Sequence, residues 1–337
     1  MTDTPTETRP TPVRRSLRLP EEIGVIVALV VMLVLIGTFR PNFLNPMNLA
    51  SLVGNATFLG MLAVGMVFLL AIREIDLSVG WMFNFSATVA ALMMVSGIDP
   101  WIAAAGGVLF GAGLGLLNGI IAVGLRLPAI IVTLGTYSMF QGLSLVVNKG
   151  RAIVPSDTTS AFFSVFKYRL FSIIPVAALV FIGLAIVLHL VLHYTRFGYR
   201  VQAVGSNPEA AKLAGIPTGL VRLQTLVLMG AICGLSGVMY VGFRGAIDPI
   251  EGSDFVLVVV AAVIIGGTPL SGGYGTVIGA VIGILIIQVI TGGLIFFGID
   301  QTWSTFVTGA VIVLAVSLDQ LIKYQRTRRA SRIRNQQ

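Results

Sequence analysis

"GSNPEAAKLAGIP", residues 205–217, is the most water-compatible stretch in the interior of an otherwise apolar chain. It reads as a short helix with a marked start and a marked stop. Asn207 is a strong N-cap residue, because its side-chain oxygen can accept from free amides of the first turn. Pro208 suits the first helical position, where no amide proton is needed. Glu209 sets a negative charge against the positive end of the helix dipole. Gly215 ends the helix, and Pro217 blocks its resumption. About seven residues remain, roughly 10 Å of helix, too short to be stable alone in water. The helix must therefore pack on its own chain or on a partner, and Ala210, Ala211 and Ala214 give it a low profile. A helix lying on a bilayer would want a larger apolar face and more lysine or arginine.

Outside this stretch the chain is built for lipid. Of its 337 residues 56% are hydrophobic and only 11% are charged, against roughly 25% charged in soluble domains. This composition predicts an all-α polytopic membrane protein. The formal net charge of +8 gathers at the ends. Arg9, Arg14, Arg15 and Arg18 precede the first apolar run, and Lys323, Arg326, Arg328, Arg329, Arg332 and Arg334 follow the last. Such placement marks cytoplasmic tails, with anionic lipid headgroups as a secondary contact. Nucleic-acid binding is not expected, since no basic stripe carries interleaved aromatics. The single cysteine, Cys233, lies in an apolar run and excludes an intrachain disulfide. The first apolar run is too long for a secretory signal, and no small-residue cleavage site follows it.

Runs of about 20 apolar residues place spans near 23–39, 50–72, 77–96, 101–124, 128–147, 171–193, 222–243, 254–267, 276–297 and 302–320. The expected organisation is a tail at 1–22, a membrane domain at 23–320 and a basic tail at 321–337. The eighth run is short, so broken or re-entrant helices are expected. An even count returns both tails to the cytoplasm, together with loop 195–221 and its flanking Arg196, Arg200 and Arg222. Loop 148–170 then lies outside despite Lys149, Arg151, Lys167 and Arg169, and its Pro155-Ser156-Asp157 turn predicts an exposed structure.

Two glycine ladders, Gly107, Gly111, Gly115, Gly119 and Gly275, Gly279, Gly283, place bare backbone on one helix face and predict close helix packing. A short echo links "DLSVG" at 76–80 with "PLSGG" at 269–273. Each follows one apolar run and opens the next on the same side, the pattern of parallel transporter repeats.

Five segments in order carry a resemblance: "DLSVG" at 76–80, "LLNG" at 116–119, "LPAIIVTLGT" at 127–136, "GSNPEAAKLAGI" at 205–216 and "GGTPLSGGYGT" at 266–276. Over roughly residues 25–320 the chain resembles the ribose-type sugar permeases of ATP-binding-cassette (ABC) importers. The resemblance implies that Asn207, Pro208, Glu209, Ala210, Ala211, Lys212 and Gly215 form a coupling helix seated in a separate ATPase subunit. No glycine-rich loop ending in Gly-Lys-Ser/Thr occurs here, so ATP and Mg are expected on that partner. No cofactor or metal is expected in this chain. The implied partners are the ATPase, an external sugar-binding protein, a second permease chain in a dimer, and the lipid of a bacterial inner membrane.

At one place the sequence departs from the family. Many members have Gly-Gly before Ile-Asp-Leu-Ser, whereas this chain has Arg73-Glu74. A tight glycine turn is not expected there, and Arg73, Glu74 and Asp76 read as an ion-paired loop at the membrane surface. Embedded charges would instead mark function. Asn55, Asn84, Asn118, Gln141 and Gln288 lie in apolar spans, where interhelical hydrogen bonding is the default and sugar hydroxyls are the functional alternative. Asp76, Ser78, Asn84, Asn118, Ser271 and Gln288 are the pathway candidates. His189 and His193 share a helix face near one end of the sixth span without an evident third ligand.

Two rival functions remain. An ion-coupled secondary transporter would want paired charges in mid-span, which are absent, and would leave the soluble helix unexplained. A branched-chain amino-acid ABC permease shares the coupling logic, and the sugar assignment over it rests on the resemblance.

Overall fold

A computed structural model describes residues 22–300 continuously, with isolated positions between 302 and 317. Apart from Glu22, both expected tails lie outside the described residues, as do nine of the nineteen positions of the expected span at 302–320. The described helices are α1 Glu22–Phe39, α2 Pro46–Ala71, α3 Val79–Val95, α4 Pro100–Gly124, α5 Ala129–Asn148, α6 Ala161–Lys167, α7 Val176–Tyr194, α8 Arg196–Ser206, α9 Pro208–Leu213, α10 Thr218–Arg244, α11 Phe255–Ile265 and α12 Val277–Phe296. Nine expected spans each find a helix. Seven of these are long and apolar enough to cross a membrane: α1, α2, α4, α5, α7, α10 and α12. At 17 and 11 residues, α3 and α11 reach only about 25 and 17 Å, short of a hydrocarbon layer of about 30 Å.

Helix starts follow local chemistry. Asn45 and Asp99 cap α2 and α4 by accepting from first-turn amides, with Pro46 and Pro100 next in the chain. The bundle is centred on α2 and α10, while α1 runs along the periphery with most of its residues facing outward. Both glycine ladders are packing seams. A Cβ at Gly111 would come within 2.5 Å of the Gly230 carbonyl, and one at Gly115 within 2.2 Å of that of Leu226. The α4 ladder thus meets answering glycines on α10, Gly230 and Gly234. On the second ladder, a Cβ at Gly279 would stand 1.8 Å from the Gly266 oxygen, and one at Gly283 2.0 Å from that of Ala262. These seams place α10 on α4 and α12 on α11 at backbone distance.

Segment 149–175 is folded down rather than freely exposed, a correction to the sequence reading. Phe162, Phe163 and Phe166 of α6 are buried, and Phe162 meets Trp101 edge-on at 5.1 Å. Ile153 bridges to Ile247, and Arg169–Leu170 pair with Ile174–Pro175. Lys149, Arg151 and Lys167 stay exposed above this apolar base. Asp157 accepts from the amide and hydroxyl of Thr159, which hold its carboxyl below the usual range.

Two turns bend back into the bundle, one from each end. From the end that carries α8 and α9, residues 72–78 are recessed. The Leu77 amide donates to Thr133 Oγ1 at 3.0 Å, four residues or about 6 Å inside the start of α5. From the opposite end, residues 245–254 descend to Asn84, whose Nδ2 donates to the carbonyls of Asp248 and Glu251 at 2.9 Å each. Asn84 lies eleven residues before the end of α3, about 16 Å along its axis. Backbone that leaves a helix inside lipid must find other partners, and the Asn84 side chain supplies two of them.

Candidate functional site

The polar segment at 195–217 folds as two helices rather than one. Its first helix, α8, was not expected. Thr195 caps it by accepting from the Gly198 amide, and Gly198, Val201, Val204 and Gly205 bury one face. Close approach is obligatory there: a Cβ at Gly205 would lie 1.7 Å from the Ala71 carbonyl oxygen. The second helix, α9, starts and stops as its residues dictate. Asn207 Oδ1 accepts from the amides of Glu209 and Ala210 at 3.1 and 3.0 Å. Gly215 takes φ +79, a left-handed conformation that disfavours other residues. The Ile216 amide closes the end on the Ala211 carbonyl at 3.0 Å.

The faces of α9 differ from the sequence reading in one respect. Ala211 is buried at 4% exposure and seats the helix on its own chain. Pro208, Glu209, Ala210, Lys212 and Gly215 are exposed. Leu213, which the alanine pattern passed over, is 90% exposed.

The base of this pair is clasped to the membrane helices. Arg73 Nη2 donates to the Ser206 carbonyl at 2.7 Å, and the Gly273 amide donates to that of Ala71 at 2.8 Å. Arg73 has φ +65. The tight turn thus forms without glycine, against the sequence expectation. Glu74 pairs with Arg222, not with Arg73, and Arg222 Nη2 also donates to the Leu127 carbonyl at 2.8 Å. "PLSGG" abuts this turn directly, since a Cβ at Gly272 would meet Arg73 Cγ at 2.3 Å.

Asp76 is not a surface group. It is fully buried, as are Ser78 and Asn118. Asp76 Oδ1 accepts from the Ser78 amide at 2.8 Å and hydroxyl at 2.6 Å, and Asn118 Nδ2 donates to Ser78 Oγ at 2.9 Å. These three form a closed knot between turn 72–78 and α4. Asn84 is equally buried, accepting from Ser144 Oγ at 2.7 Å while it holds turn 245–254. Of the pathway candidates, Asp76, Ser78, Asn84 and Asn118 bond to protein in this conformation. Ser271 sits in the turn before α12. Gln288 of α12 lines a cavity. His189 and His193 lie with ring centroids 4.4 Å apart, and no third His, Cys, Asp or Glu joins them among the described residues.

Comparison with known proteins fits this arrangement. Residues 48–316 match the family described as branched-chain amino acid transport system, permease component. The chain is 35% identical over 300 residues to the ribose import permease protein of Bacillus subtilis strain 168, spanning 89% of this chain and 93% of that one. It is 32% identical over 308 residues to the L-arabinose ABC transporter permease protein of Azospirillum brasilense, with 90% and 88% covered. Identity is 33% over 326 residues with the galactose/methyl galactoside import permease protein of Escherichia coli K12, at 91% and 96%.

Proposed function

From a chain that belongs to the permease family of sugar ABC importers, a family of multi-pass inner-membrane subunits, we propose a specific division of labour. The chain is the membrane pathway for a monosaccharide handed over by an external binding protein, and α9 is its contact with a cytoplasmic ATPase that binds ATP and Mg. The end carrying α8 and α9 faces the cytoplasm, and loop 149–175 faces outward. Two permease chains form the working unit.

One observation carries this reading. The helix α9 is anchored at its back through Ala211 and bare at its front, with Leu213 held out in solvent. A partner groove that takes Leu213 and reads Glu209 would move α9, and the clasp at Arg73 and Ser206 would pass that motion to α2. The family description names branched-chain amino acids, whereas the relatives matching nearly the whole chain are named for ribose, arabinose and galactose. That whole-length likeness favours a sugar.

The test is uptake into vesicles holding permease, ATPase and binding protein, offered D-ribose, L-arabinose, D-galactose or leucine. We expect one sugar to enter, only with ATP and the ATPase. Glu209→Lys and Leu213→Asp should insert normally yet lose uptake by about tenfold or more, the scale of a lost interface anchor. Wild-type uptake without the ATPase would defeat this reading, and leucine entry would turn it to the amino-acid alternative.

A further inference from the structure

The re-entrant turn 245–254 opens on a cavity of about 390 Å³. Its wall gathers Asn55 of α2, Tyr240 and Arg244 of α10, Glu251 and Asp254 of the turn, and Gln288 of α12. The volume falls in the range of small-molecule sites, roughly 300–1,000 Å³.

Depth makes this lining unusual. Asn55 stands nine residues inside the start of α2, and Gln288 eight residues before the end of α12. Those offsets correspond to about 13 and 12 Å, approaching the middle of a layer about 30 Å thick. The turn itself reaches a like depth at Asn84. Among the described residues, neither the Asn55 nor the Gln288 side chain has a hydrogen-bond partner in the protein. An amide at that depth without a protein partner belongs against water or a ligand, not lipid.

The remaining groups are ordered. The Tyr240 hydroxyl faces the Glu251 carboxylate. The Tyr240 ring packs edge-on to Phe58 and Phe83 at 5.2 and 5.5 Å, and Arg244 lies 5.8 Å from its centroid. Free amides donate to and accept from sugar hydroxyls, carboxylates accept from them, and an aromatic ring packs against the C–H face of a pyranose or furanose. These contacts are individually modest and suit a cargo that must leave again.

We infer that this cavity is the permease's own sugar-receiving site, entered from the end opposite α8 and α9. The inference rests on the importer reading above and adds to it the residues that meet the cargo. Gln288 and Asn55 bond sugar hydroxyls, and Tyr240 forms part of the wall against which the ring rests.

The experiment uses the complete importer in vesicles, with single cysteines Gln288→Cys, Asn55→Cys and Ser156→Cys in a Cys233→Ala background. A small impermeant methanethiosulfonate is added on the binding-protein side. Both pocket cysteines should react, and the sugar that wild type imports should slow them about threefold at twice its Kd. Gln288→Leu should lower uptake by about fivefold, the scale of one lost hydrogen bond, while loaded binding protein still stimulates ATP hydrolysis. Reaction at position 156 with none at 55 and 288 would overturn the inference. Labelling indifferent to sugar, wild-type uptake by Gln288→Leu, or sugar-free vesicles that import only leucine would do the same. Glu209→Lys should leave labelling and its protection intact, so failure of coupling and failure of the cavity are told apart.

Discussion

Turn 72–78 and turn 245–254 meet the same physical problem from opposite ends of the bundle. Each takes irregular backbone below the helix ends, and each relies on an asparagine from a neighbouring helix. Asn118 reaches Ser78 and Asn84 reaches the carbonyls of Asp248 and Glu251. They differ in what their side chains do next. In the first turn the Asp76 carboxylate is absorbed by Ser78 and Asn118, with all three groups fully buried. In the second, asparagine satisfies the backbone alone and leaves Glu251 and Asp254 facing a cavity. One turn is a plug and the other, on the inference drawn above, a receptacle. Mere presence of a carboxylate below the membrane surface therefore says little about transport, and the partner set decides.

Turn 245–254 meets the first turn of α3, which follows turn 72–78 directly, and the largest expected effect lies there. A Cβ at Gly80 would stand 1.9 Å from the Gly252 oxygen, backbone against backbone. Gly80→Ala should cost about 3 kcal/mol or more, since neither chain can yield alone. Loss of a monodisperse detergent-extracted peak checks this, and a normal peak would show that turn 245–254 does not brace the start of α3.

A paired substitution sharpens the contrast. Asp76→Ala strips the acceptor from Ser78 and should lower the unfolding midpoint by about 5 °C or more, the scale of two buried hydrogen bonds. Glu251→Gln keeps an acceptor for Tyr240 and should move the midpoint by about 1 °C or less while reducing uptake. Equal thermal losses in the two variants would erase the distinction between plug and receptacle.

The smallest effect is expected at Arg73, on the edge of the first turn. Arg73→Gly relieves a left-handed backbone worth about 1 kcal/mol and gives up a hydrogen bond of similar size. Thermal stability should stay nearly unchanged. Uptake should fall about twofold to threefold as α8 loses its clasp, within the range of modest coupling terms. Unchanged uptake would leave Arg73 a mere substitute for glycine.

Much of this was legible before any coordinates. The apolar runs marked the spans because lipid demands long apolar helices, and Asn207 with Gly215 marked the ends of α9 because caps are local chemistry. The glycine ladders announced close packing but not their partner, since the Gly230 and Gly234 answer lies over a hundred residues away. Depth was the main loss. Turn 245–254 carries Gly245, Pro249 and Gly252 with Asp248, Glu251 and Asp254 among them, a signal of irregular backbone that says nothing of how far it descends. Asn84 could be singled out as polar in an apolar span, but its acceptors lie 164 and 167 residues on. Leu213 escaped because a leucine in an apolar chain draws no attention until its surroundings turn out to be water.

The longest helix among the described residues also sets how force travels. With 27 residues, α10 is a rod about 40 Å long. It begins directly after Pro217, beside the helix proposed to meet the ATPase, and ends at Arg244, above the cavity's tyrosine. The glycine seam keys α4 along its flank at backbone distance, doubling its section as a splint doubles a beam. A displacement applied at Thr218 therefore arrives at Arg244 with little lost to bending, so the proposed ATPase contact and the proposed cargo pocket lie at the two ends of one lever.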